Sequence, residues 1–95
     1  MERVFREVRW TDWSEDHLVR HGVTPGEVEE VLFTRPRWTT KGREDTTLVY
    51  GSTAVGRLLM VVTVDEGDGL AFVVTAREMN AQEKRIYRRK SRKGR

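Results

Sequence analysis

The chain contains no cysteine and only two prolines among its 95 residues. Without thiols it has neither a disulfide framework nor a thiolate metal site. No Pro/Ser linker, low-complexity block or internal repeat marks a boundary, so residues 1–95 are expected to form a single domain with a core just large enough to fold alone. No apolar run approaches the roughly 18 residues of a membrane span, and the opening MERVFREVRW lacks the apolar stretch of a signal peptide. A cytoplasmic protein that does not enter a membrane is therefore expected.

What the chain has in quantity is charge, at 35% of its residues, and the charge is unevenly placed. From Arg77 to Arg95 there are nine Lys/Arg against two Glu, whereas Met1 to Ala76 carries nine Lys/Arg against thirteen Asp/Glu. A mildly acidic body with a strongly cationic end produces a directional field that favours an anionic partner. The last residues, from about 91 to 95, read equally well as a solvated basic tail.

Punctuation and period place the elements. VFREVRW alternates weakly, as a short edge strand with Phe5 and Trp10 facing inward. Ser14 reads as the N-cap of a helix closing at His21, with Gly22 at the left-handed position beyond it. Thr24 and Glu27 form a capping box around Pro25 at the first turn of a second helix, whose apolar face is Val28, Val31 and Leu32. The period then changes from 3.6 to 2 through RWTTK, TTLVYGS, RLLMVVTVD and GLAFVVTAR. LLMVVTV is apolar on both alternating faces, which predicts a central strand covered at least partly on each side. A closing helix opens at Asn80 with Glu83 as capping partner. The order β, α, α, four β in an antiparallel meander, then α, is an α+β domain.

On the closing helix Lys84, Arg85, Arg88, Arg89 and Arg92 gather on one stripe, while Ile86 and Tyr87 are its only large apolar residues. Such a stripe suits a polyanion, with phosphate neutralisation supplying salt-dependent affinity. No helix-turn-helix, zinc-finger or RRM signature accompanies it.

Three stretches together resemble the BrnT family of type II toxin–antitoxin toxins, within the RelE-like group of small ribonucleases. They are WTDWSEDHLVRHGVTPGEVEEVLF (Trp10 to Phe33), GRLLMVVTV (Gly56 to Val64) and VVTAREMNAQEKRIYRRK (Val73 to Lys90). The likeness runs in order over most of the chain and is weakest from Thr34 to Ser52. It implies a RelE-like fold with helices on one face of a four-stranded antiparallel sheet. It also implies a metal-independent endoribonuclease that inhibits translation and needs no cofactor. The implied partners are RNA and a cognate antitoxin, typically of ribbon-helix-helix type, with operator DNA bound only through that complex.

Cleavage through a 2′-OH needs a phosphate clamp and two proton transfers. Arg57 and Arg77 match the family's arginines and, placed side by side across a hairpin, would grip phosphate with bidentate guanidinium groups; the plain alternative is two strand-end charges in surface ion pairs. His21 and Tyr87 match the family's histidine and tyrosine and have acid–base or phosphate-bonding chemistry. Their plain alternatives are a helix C-terminal residue and a core anchor. Lys84, Arg85, Arg88 and Arg89 are the expected RNA-binding residues. His17 and His21 stand at i, i+4 without the Glu of H-E-x-x-H or a third ligand, so no metal site is expected. Trp10, Trp13 and Trp38 read as core or partner-contact residues, with Trp38 also suited to base stacking between Arg37 and Lys41. A non-catalytic RNA- or antitoxin-binding module of the same fold is the alternative to the nuclease, and a DNA-binding regulator ranks below both.

Overall fold

The computed structural model describes the backbone of residues 5–93 and the side chains of residues 5–91. Its elements are β1 (Glu7–Arg9), α1 (Asp12–Arg20), α2 (Pro25–Phe33), β2 (Arg37–Lys41), β3 (Thr46–Ser52), β4 (Leu58–Asp65), β5 (Leu70–Glu78) and α3 (Ala81–Lys93). No helix among these is long and apolar enough to cross a membrane.

The α+β class is as expected, but the sheet is five-stranded and mixed rather than four-stranded and antiparallel, in the order β1-β5-β4-β3-β2. The fifth strand is the expected edge segment, β1, which runs parallel to β5 with Glu7 opposite Leu70. It docks there because Gly69, at φ 81°, leaves room for Arg6. A β-carbon on Gly69 would sit 2.8 Å from the Arg6 Nε, and the Gly69 carbonyl accepts the Arg6 and Glu7 N–H groups at 2.7 and 3.2 Å.

The helices do not share one face. Leu18, Val23, Val28, Val31 and Leu32 from α1, α2 and their connection pack with Val49, Leu59, Val61, Ala71, Val73 and Ala76 on one side of the sheet. On the other, Tyr87 of α3 and Met79 pack on Tyr50 and Met60, bordered by half-buried Trp38, Leu48, Leu58 and Val62. That two-sided burial is what the doubly apolar β4 requires.

Local capping is mostly as the sequence predicts. Thr24 and Glu27 make their reciprocal box, and Asn80 and Glu83 bond each other's backbone at 2.9 and 2.8 Å. At α1, however, the cap is Thr11, with Ser14 as its reciprocal partner at the third helical position rather than the cap itself. Buried Ser14 satisfies its hydroxyl on the Thr11 carbonyl at 3.0 Å. The helix α3 continues through Lys93, so the stretch expected as a tail is helical as far as the described residues reach.

The β4–β5 ladder is regular from the hairpin tip to Thr63↔Val73, and then Val74 is passed over and Val62 pairs with Thr75. Regular pairing would have set Leu59 opposite Arg77. The bulge instead sets Met60 there and Leu59 opposite Glu78. One extra residue exchanges the faces of everything beyond it.

At Gly51 the first face is packed closely enough that a β-carbon would meet the Val31 Cγ1 at 3.0 Å. Gly51→Ala is expected to lower unfolding free energy by about 1–3 kcal/mol in urea titration. Combined with Val31→Ala it should cost less than the sum of the two single changes; strict additivity contradicts the close packing of α2 on β3.

Candidate nucleic-acid interface

The bulge decides where the four expected catalytic residues stand. Arg57, one residue before β4, has the parity of Leu59 and turns to the α1/α2 face. Arg77, opposite Met60, turns to the α3 face. The expected phosphate clamp of two adjacent guanidinium groups is therefore not formed. His21 belongs to the Arg57 corner, next to Gly22, and Tyr87 to the Arg77 side, so the four residues divide two and two across the sheet.

Each arginine is also engaged by carboxylates. The Arg57 Nη1 donates to the Gly22 carbonyl at 2.8 Å and to the two Glu27 carboxylate oxygens at 3.0 and 3.1 Å, while its Nε donates to Glu78 at 3.0 Å. It thereby ties the α1–α2 connection to the open ends of β4 and β5. Its bonds to Glu78 and then to Glu27 raise the pKa of Arg57. Glu27 is held below its usual value first by the Thr24 backbone N–H and then by Arg57. Arg77 makes a two-pronged pair with Glu83, 2.9 Å on each prong, and bonds the Glu78 carbonyl at 3.0 Å. That pairing is the main cause lowering the Glu83 pKa. Glu83 thus caps α3 and locks it to β5 with the same carboxylate.

The proton-transfer candidates are similarly occupied or remote. The His21 side chain is exposed, and its backbone N–H closes α1 on the Leu18 and Val19 carbonyls. Tyr87 is buried, burial raises its pKa, and its hydroxyl donates to the Pro36 carbonyl at 2.7 Å. It is the anchor of α3, whose one other large apolar residue is the half-buried Ile86. His17 lies against Trp13, ring centres 3.9 Å apart, with Nδ1 3.1 Å from the Trp13 carbonyl oxygen. No group of three His, Cys, Asp or Glu able to hold a metal is present among the described residues.

The four residues expected to bind RNA all stand on α3. Arg85, Arg88 and Arg89 are exposed and Lys84 is half-buried, and among the described residues none of the four forms an ion pair. Beneath the helix lies a row that sequence reading did not assemble: Trp38, Tyr50, Met60 and Arg77 sit side by side on β2, β3, β4 and β5. Trp38 and Tyr50 stack, centroids 4.5 Å apart and planes 22° from parallel, and the Lys90 Nζ lies 5.3 Å from the Trp38 ring centre. Of the other tryptophans, Trp10 borders the first core and donates to Glu29 at 3.1 Å, and Trp13 is exposed. The Trp38–Tyr50 pairing was findable from the RWTTK/TTLVYGS hairpin once its register was fixed. The Lys90 contact depends on the placement of α3 and left no signal in the sequence.

Two measurements check these roles. Arg57→Ala should lower stability by about 1–3 kcal/mol in urea titration, and Arg57→Lys should recover only part, because an ammonium cannot reproduce the fork; an Ala variant of full stability contradicts a stapling role. The second is acid denaturation. Glu27 and Glu83 have lowered folded pKa values, so their stabilisation is complete above the unfolded value near about 4.3 and is lost as pH falls through the folded values. The Tm should hold down to about pH 5 and drop below it, with a shallower drop in Glu83→Gln; a Tm that rises on acidification contradicts the pairing.

Compared with protein-family models, curated proteins and solved structures, the chain matches none of them.

Proposed function

We propose that this protein is an RNA-binding protein of the toxin kind its motifs resemble, using the exposed cations of α3 and the half-buried Trp38 at the sheet edge beside it to hold single-stranded RNA. In this reading it inhibits translation in the cytoplasm and is neutralised by a cognate antitoxin, the ribbon-helix-helix class being the expected partner. The observation that carries the reading is the difference between two sets of cations. Arg57 and Arg77 are neutralised by Glu27, Glu78 and Glu83, whereas Arg85, Arg88 and Arg89 project from α3 without carboxylate partners among the described residues. Unpaired cations on an otherwise mildly acidic body attract phosphate and gain counterion release on binding.

Endoribonuclease activity is the second reading, and one observation favours it. Arg77 and Glu83 meet at 2.9 Å in the same row as Tyr50, which joins a guanidinium for the pentavalent phosphate to an ionised carboxylate for the 2′-OH proton. RNA would have to open that pair to use it, and opening it also releases the cap of α3. Arg57 and His21, on the far side of the sheet, have no part in such a site.

Induction in a bacterial host with transcript mapping separates the two. Growth arrest without new 5′ ends supports binding; arrest with cut transcripts, lost in an Arg77→Gln variant that is still folded at the growth temperature, supports cleavage. For binding itself, replacing Arg85 and Arg89 by Ala should reduce the slope of log K against log salt by about 1.4, at about 0.7 per single-strand phosphate. An unchanged slope contradicts the assignment of RNA to α3.

A further inference from the structure

Trp38 is half-buried on β2, the outermost strand of the sheet among the described residues. Tyr50, at 4.5 Å and nearly parallel, fills one face of its indole. On its outer side β2 has no strand neighbour among the described residues. The ammonium of Lys90 lies over the indole, 5.3 Å from the ring centre, on an exposed side chain with no ion pair among the described residues.

We infer that the outer face of Trp38 is a stacking site for one unpaired base of a single-stranded nucleic acid, with Lys90 as its displaceable cover. The inference rests on the RNA-binding reading above and specifies how one nucleotide is held. An exposed cation over an aromatic ring is worth about two- to fivefold in an equilibrium. A base stacked on such a ring is worth about five- to 150-fold. The base therefore wins the ring, and the ammonium, swung aside on its four-carbon stem, is free to meet a phosphate flanking that base.

Neighbouring side chains fit this exchange. Arg85 and Arg89, one helical turn apart on the same helix as Lys90, are exposed and offer further cations to the phosphates flanking the stacked base. Tyr50 is buried beneath the site, and burial raises its pKa. It stays neutral and backs the indole as a rigid platform, so Trp38 need not reorganise to receive a base. Duplex RNA, whose bases are already stacked on one another, gains only from the cations.

The test is a titration of the full chain and its Trp38 variants with three probes: a short single-stranded RNA, the same RNA as a duplex, and inorganic polyphosphate. Trp38→Leu is expected to weaken single-strand binding about tenfold while changing duplex and polyphosphate binding by less than about twofold. Trp38→Phe should keep most of the single-strand affinity, which a merely folded-state role for the indole would not require. Equal losses for all three probes, or a Leu variant that binds single strands like the parent, overturn the stacking site. In the last case RNA binding itself survives. A parent protein that binds none of the RNAs removes both the site and the reading beneath it.

Discussion

The bulge at Val74 fixes which side chains of this molecule can meet. Because β5 carries one residue more than its partner, the strand end from Thr75 to Glu78 is turned over relative to the hairpin tip. Ala76 enters the first core and Arg77 emerges under α3. Had the ladder run regularly, Arg77 would stand beside Leu59, on the face where Arg57 lies. The register also decides the docking of α3, since the Arg77–Glu83 pair that fastens its first turn exists only with Arg77 on that side. Tyr87 completes the attachment one turn further on, through its bond to the Pro36 carbonyl.

From that register follows a division of labour among the arginines. Those close to the packed sheet close joints. Arg57 holds the connection of α1 and α2 to the sheet ends, Arg77 holds α3, and Arg9 lies over Phe72, 4.7 Å from the ring centre, while pairing with Glu66. A guanidinium with three directed partners suits such joints because it keeps its charge and its planar fork. The arginines facing outward from α3 have no such duty, and they generate the field that distinguishes this end of the molecule.

Element order and most caps were legible in the sequence, because the Thr24–Glu27 box, the Asn80–Glu83 box and the change of period from 3.6 to 2 are local signals. The parallel docking of β1 was not, since it depends on space above Gly69, sixty residues away in the chain. Nor was the α1 cap, where Ser14 is by type the better cap residue, yet the extended backbone at Thr11 starts the helix three residues earlier. The candidate site shows the same boundary between local and long-range information. The basic stripe of α3 is a property of one helix and reads directly. The expected pairing of Arg57 with Arg77 rested on an unbroken two-residue period, and a bulge leaves no composition mark in VVTAR to warn of it. The Trp38 platform lies in the stretch that resembles the family least, and it is assembled from a hairpin register and a helix docked over it.

Side-chain NMR of the arginine Nε–Hε and tryptophan indole groups during titration with a short single-stranded RNA tests most directly which face meets the ligand. The Trp38 indole and the α3 guanidinium resonances are predicted to shift together, with Arg57 and the His21 ring unmoved. Shifts centred on Arg57 and His21, with Trp38 and α3 silent, would contradict the arrangement and return the site to the opposite side of the sheet.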